Sequence, residues 1–159
     1  MTTTRGRGAP AYLAGLLLAG RRVVAVGGGN VHRRRVPKLL AAGADVTVVS
    51  PVLHPELAAL AEAGALAWRK GEFTEDDLDG AWYVLAATDS PDVNARVAAA
   101  AEARHTFCVR ADRAELGTAW TPATGAVGDA TIGVLTNHDP LAARALRDRL
   151  LRLIGGADG

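Results

Sequence analysis

Arg22-Val23-Val24-Ala25-Val26-Gly27-Gly28-Gly29-Asn30-Val31-His32 is the stretch that decides how the rest of the chain is read. Val23 to Val26 is an unbroken apolar run, mostly β-branched, which is the pattern of a strand buried on both faces. Three glycines stop that strand. From Val31 to Ala42 a basic segment with helically spaced apolar residues follows. A strand, a glycine turn and a helix N-terminus together form an anion site: first-turn N–H groups have no intrahelical acceptor, and the helix dipole favours a phosphate beside them. The dinucleotide fingerprint G-x-G-x-x-G/A is met at Gly27 and Gly29 and departs at its third position, His32. The stretch therefore predicts a nucleotide-binding unit, and the remaining residues must say what the nucleotide is for.

Size and composition narrow the classes. A chain of 159 residues holds one domain with a sizeable core, or one domain with a small appendage. Hydrophobic residues make up 49% and aromatic ones 4%, which suits small-residue helices packed closely on a sheet. The net charge of +1 argues against a general nucleic-acid binder, which carries a basic excess. Cys108 is the single cysteine and has no intramolecular disulfide partner, so a reducing, cytoplasmic setting is the expectation. No apolar run reaches the roughly 18 residues that span a bilayer, so no membrane partner is expected. Residues 1–11 read as a flexible tail: Met1 to Ala9 is polar and glycine-rich, without the apolar core of a signal peptide.

Taken in order, Tyr12 to Leu18 reads as an edge strand or a loop against the sheet. Pro37 lies inside the first helical pattern and would remove one backbone hydrogen bond there. Gly43 closes that helix. Asp45 to Ser50 reads as the second strand, stopped by Pro51, and Pro55 to Ala63 as a helix closed by Gly64. Leu66 to Arg69 is a short third strand, and Thr74 to Asp77 resembles a capping box. Trp82 to Ala87 is a fourth strand. Ser90 or Asp89 can cap a helix with Pro91 in its first turn, running to about Arg104. Thr106 to Ala111 is the fifth strand. Strands alternating with helices predict an α/β, Rossmann-like parallel sheet with helices on both faces over residues 12–113. After Asp112 the pattern changes. Strands at 118–124 and 130–136, with a loop at 125–129, predict a hairpin, and Pro140 to Ile154 predicts an amphipathic helix. Residues 114–159 are thus expected to form a small hairpin-plus-helix subdomain that completes its core against the sheet or a second subunit.

In an open α/β sheet, ligands bind at the carboxyl ends of the strands. Those ends carry Gly27 to Asn30, Ser50-Pro51, Thr88-Asp89 and Arg110 to Asp112. Ser50 stands about twenty residues past the glycines, where an acidic residue usually holds the ribose 2′-hydroxyl. A serine there leaves the choice between NAD and NADP open. Asp112 is placed to accept a proton, or alternatively to cap a turn. Arg110 and Arg113 bracket it and would suit a substrate with carboxylates. Consecutive Arg33, Arg34 and Arg35 point three ways around a helix, so at most one or two face a bound anion. His32 either donates to a pyrophosphate or replaces a small packing residue. The four histidines match no metal-ligand spacing, so no metal site is expected. Cys108 sits in a buried strand pattern and reads as core.

With these residues assembled, the chain resembles the precorrin-2 dehydrogenase module of the siroheme synthase family. The likeness runs from Tyr12 to about Leu151. It rests on Leu18 to Val23 leading into Gly27 to Val31, on Ala42 to Val48 with Ser50-Pro51, and on Ala86 to Asp89 followed by Asn94. Phe107 to Asp112 and Thr121 to Ala123 complete it. The resemblance implies NAD-dependent oxidation of precorrin-2 to sirohydrochlorin. It implies cofactor contacts at Gly27, Gly28, Gly29, Asn30, Val31, Ser50, Pro51 and Thr88, and a catalytic role for Asp112. It also implies a homodimer built through the second subdomain. His32 stands where the family has a small residue, and Leu135 to Pro140 replaces its serine- and glycine-rich loop. Two other readings keep the nucleotide site: a chelatase acting on sirohydrochlorin, in which Asp112 collects pyrrole protons, and a non-catalytic nucleotide-sensing module.

Overall fold

The structure, a computed structural model, describes residues 10–155. They fall into two compact units, one of residues 16–119 and one of residues 10–15 with 120–155.

The larger unit is a parallel sheet of β1 (Arg22–Val26), β2 (Asp45–Ser50), β3 (Ala67–Lys70), β4 (Tyr83–Ala86) and β5 (Phe107–Arg110). The strands lie in the order β3-β2-β1-β4-β5. From β1 the chain first builds outward to β2 and β3, then returns to add β4 and β5 on the other side. The strand order therefore reverses at the β1–β4 pair, and a crevice opens above their carboxyl ends. The apolar run at the start of the sequence is buried on both sides as its pattern requires, with Val23, Val24 and Ala25 at 0% exposure and Val26 at 1%. Strand alternation sends Val23, Ala25, Val46 and Val48 to one face. There they meet Val36 of α1 (Asn30–Ala41) and Leu57 of α2 (Pro55–Glu62). Val24, Val26, Val49 and Val84 face the other way, against Val97 and Ala101 of α3 (Pro91–Ala103). A fully buried Leu57 contributes roughly 1.5–3 kcal/mol.

The helix ends follow from local chemistry. Ser90 Oγ accepts from Val93 N at 3.3 Å and Pro91 occupies the first turn of α3. Thr74 and Asp77 form a capping box around the 3₁₀ turn Glu75–Leu78. Gly43 takes a φ of 77° beyond α1, the left-handed conformation that glycine adopts without strain. The helix α1 runs continuously through Pro37, although the proline donates no backbone hydrogen bond. Tyr12 to Leu18 forms no strand. Gly15 interrupts the apolar piece, and of its large side chains only that of Leu18 is buried.

The smaller unit pairs β6 (Ala123–Val127) with β7 (Ala130–Val134) antiparallel. The first strand lies later than the sequence pattern suggests. Thr118 is drawn to β5 instead, its Oγ1 accepting from Cys108 N at 2.8 Å and its N donating to Cys108 O at 2.9 Å. The glycine-containing stretch read as a loop is largely strand, closed by a two-residue turn at Gly128-Asp129 with Gly128 at φ 54°. The final helix, α4 (Pro140–Gly155), starts from Asp139, whose Oδ1 accepts from Ala142 N at 2.8 Å. It lies on the hairpin where Gly125 has no side chain: a Cβ there would come within 2.5 Å of Leu151 Cδ1. Within this unit only Val134 and Ala143 are buried apolar residues among the described residues. The reading of residues 1–9 as a tail lies outside the described residues.

Candidate dinucleotide and catalytic site

The crevice predicted by the strand order is a cleft of about 560 Å³. Its walls are the glycine turn after β1, the end of β2 and the turn after β4. Two glycines are required by what lies against them. Gly27 has φ 114°, and a Cβ on it would stand 2.2 Å from the Ala87 carbonyl oxygen. A Cβ on Gly28 would stand 2.1 Å from the Val52 carbonyl oxygen. The second strand and the cap of α2 then fix the turn: Gly27 N donates to Val49 O at 2.9 Å, and Gly28 O accepts from His54 N at 2.7 Å. Gly29 differs, since a Cβ there would meet nothing within 4 Å. Gly29 is also the N-cap of α1 and has no side chain to cap it. Open space above uncapped first-turn N–H groups is a cradle into which a diphosphate fits.

Of the sequence candidates, Gly27, Gly28, Gly29, Asn30, Ser50, Pro51 and Thr88 line this cleft together. Val31 does not line it. Ser50 Oγ donates to Val52 O at 2.7 Å, which commits its proton and leaves its lone pairs as acceptors. Residues that sequence reasoning passed over also line the wall, notably His54 and Phe73. His54 Nδ1 caps α2 by accepting from Glu56 N at 3.2 Å, a role that histidine type and spacing do not announce.

Asp112, Arg110 and Arg113 lie outside the cleft wall. Arg110 is buried at 5% exposure and turned toward Asp112, with Nε to Oδ1 at 3.1 Å and Nη2 to Oδ2 at 2.6 Å. Their i, i+2 spacing at a strand end puts both side chains on one side, which is the signal in the sequence for this pair. The bidentate Arg110 guanidinium, more than any other group, holds the Asp112 carboxyl below the usual carboxylate range. The Asn94 amide also favours the ionised form of this carboxylate. Asn94 is itself fully buried. Its Oδ1 accepts from Thr88 N at 2.9 Å and from Thr88 Oγ1 at 2.8 Å, and its Nδ2 donates to Thr88 O at 3.1 Å. Asn94 is thus hydrogen-bonded to the cleft wall at Thr88 and acts electrostatically on the Asp112 carboxylate, which Arg110 holds. Arg113 is solvent-facing and pairs with Glu115 at 3.2 Å.

Two groups on the sequence list are set aside from the reacting centre by burial. Cys108 is a core thiol whose pKa desolvation pushes up to about 12. His32 is fully buried beneath the glycine turn and forms no part of the cleft wall. Its burial lowers its pKa to about 4, so at neutral pH it carries no charge to offer a phosphate. Among the described residues no group of histidine, cysteine or carboxylate side chains is arranged to hold a metal ion.

Residues 15–123 match a family model described as "Putative NAD(P)-binding". The chain is also 33% identical over 137 residues to a precorrin-2 dehydrogenase of Bacillus subtilis (strain 168), covering 86% of this chain and 84% of that relative. It belongs to the precorrin-2 dehydrogenase family. The solved structure of "SirC, precorrin-2 dehydrogenase" superposes with a TM-score of 0.78 at 27% identity, over 88% of this chain and 69% of that one. A siroheme synthase of Chromobacterium violaceum is 41% identical over 145 residues, which is 91% of this chain and 31% of the relative. The chain therefore spans about a third of the siroheme synthases it matches, and matches a precorrin-2 dehydrogenase over most of its length.

Proposed function

We propose that the chain oxidises precorrin-2 to sirohydrochlorin with NAD, and that Asp112 is the residue that takes the proton. The observation that carries the reading is the coupling of Asn94 to both Thr88 and Asp112. Asn94 is hydrogen-bonded to Thr88 in the cradle wall and also favours the ionised form of the Asp112 carboxylate, which stands at the end of the same sheet. NAD, when bound, accepts the hydride that the macrocycle gives up. The residues of the chain do the rest. The Gly27–Gly29 turn and the N-terminus of α1 hold the diphosphate. Arg110 holds Asp112 ionised and aimed, so that the second hydrogen of the oxidised ring system leaves as a proton to that carboxylate. Arg110 is thereby occupied with the base. Among the arginines singled out for the substrate's carboxylates, Arg113 has the more exposed side chain.

NAD suits the cleft better than NADP. Its described lining includes two carboxylates, Glu72 and Asp89, and no lysine or arginine to neutralise a 2′-phosphate. Ser50 presents lone pairs rather than a free proton, which suits a ribose hydroxyl as donor. The unburied apolar side chains of the smaller unit, Leu141 at 72% and Leu153 at 64% exposure, support a homodimer in which a second copy covers them. A cytoplasmic setting fits the single buried thiol, and no described helix is long and apolar enough to cross a membrane.

The test is anaerobic incubation of the purified chain with precorrin-2 and NAD, NADP or no nucleotide, followed by absorption spectra. The sirohydrochlorin spectrum should grow fastest with NAD and be absent without nucleotide. No sirohydrochlorin under any condition would sink the proposal. Metal insertion into sirohydrochlorin without NAD, with no dehydrogenation, would favour the chelatase reading instead.

A further inference from the structure

His32 occupies the third position of the glycine fingerprint, where a small residue normally lets the helix pack closely on the strand. A histidine there would be expected to push the helix away or intrude on the cleft. It does neither. The ring is fully buried, and its Nδ1 lies 2.6 Å from the Gly27 carbonyl oxygen. A carbonyl can only accept, so Nδ1 carries the proton and donates it, and Nε2 is the bare nitrogen. That Nε2 is buried with no hydrogen-bond partner, so the contact with Gly27 is the ring's one polar anchor. Gly27 is the residue that opens the turn, at φ 114° against the Ala87 carbonyl. The contact thus bears on the backbone whose direction sets the cradle.

We propose that His32 is a positioning residue for the dinucleotide turn: its Nδ1–H clamps the Gly27 carbonyl and holds the turn in the shape that receives the diphosphate. The inference rests on the reading of the cleft as a dinucleotide site. It assigns His32 a part that neither a pyrophosphate donor nor an inert packing residue would play. Burial adds to it, because desolvation keeps the ring neutral down to about pH 4 and the donor tautomer is retained throughout the neutral range.

The test compares three chains by NAD binding alone, in the absence of tetrapyrrole: the wild type, His32→Asn and His32→Leu. The asparagine amide nitrogen falls close to the place of Nδ1 and keeps a donor. Leucine keeps the bulk and removes it. Asn should bind NAD within about three-fold of wild type, and Leu roughly ten-fold more weakly, the loss expected for one buried hydrogen bond. Thermal melting of each chain separates lost affinity from lost fold. Wild-type affinity in a folded His32→Leu, or equal weakening in both variants, would overturn the clamp. Nitrogen NMR of the wild-type ring decides the matter even if a variant fails to fold. The Nδ1–H tautomer is expected near neutral pH, and the Nε2–H tautomer or a charged ring would overturn the proposal. A wild type that binds no NAD would instead overturn the dinucleotide reading, and the ring's tautomer would still test the clamp.

Discussion

The two units of the chain reach order by different routes. In residues 16–119 each of the two faces of the sheet has its own layer of buried side chains, from Val23 and Val48 on one side to Val24 and Val97 on the other. In the hairpin–helix unit only Val134 and Ala143 are buried apolar residues among those described, while Leu141, Leu146, Leu153 and Ile154 stay exposed. The first unit is stabilised by its own core. The second has the secondary structure of a folded element without the burial that small units need to stand alone. The difference separates a unit with a core on each face of its sheet from one that leaves most of its large apolar side chains exposed.

Substitutions in each unit can break that comparison. Asp112→Ala, in the sheet unit, should lower kcat by about 100-fold or more, the range typical of a lost general base, with NAD affinity unchanged. Turnover close to wild type would remove Asp112 from the chemistry. Leu153→Asp, in the hairpin–helix unit, should leave the sheet folded and shift the sedimenting species from dimer to monomer; an unchanged sedimentation coefficient would count against the dimer.

A pair of identical changes sharpens the contrast further. Gly28→Ala sets a Cβ against the Val52 backbone carbonyl, which must move, at a cost of about 1–3 kcal/mol in melting experiments together with loss of NAD binding. Gly125→Ala meets only the end of the Leu151 side chain, which can rotate away, so it should cost less than about 1 kcal/mol and leave NAD binding intact. Equal costs at both positions would mean that the hairpin is packed as rigidly as the glycine turn.

Acid should act on the sheet unit through His32. Its folded pKa of about 4 lies below its ordinary value of 6.5, so the unfolded chain binds the proton more readily. The stability due to this group is therefore complete above pH 6.5 and falls as the pH drops toward 4. The total is about 3 kcal/mol. Denaturant melts across that window should show the slope in wild type and lose it in His32→Asn. Asp112 works in the same direction at lower pH: its carboxyl is depressed by Arg110, so its contribution is present above the unfolded carboxylate pKa and is lost as pH falls through the folded one.

How far the sequence foretold this depended on how local each cause was. Four apolar residues and three glycines sufficed for β1 and its turn, because burial on both faces and a required φ are properties of the residues themselves. The start of β6 was not legible, because Thr118 is captured by Cys108 across ten residues. The Arg110–Asp112 pair was open to reading from its i, i+2 spacing, yet two charged groups beside a substrate site suggest ligand contacts just as readily. Asn94 was noticed only through family resemblance. Its task, closing the Thr88 turn, depends on a helix packing that no local pattern records.

The most direct measurement is a single anaerobic turnover, in which NADH and sirohydrochlorin are quantified together after precorrin-2 is mixed with the chain and NAD. The account predicts one NADH for each sirohydrochlorin formed, and both products forming about 100-fold or more slowly in Asp112→Ala. Sirohydrochlorin without NADH, or both products at the wild-type rate from Asp112→Ala, would contradict it.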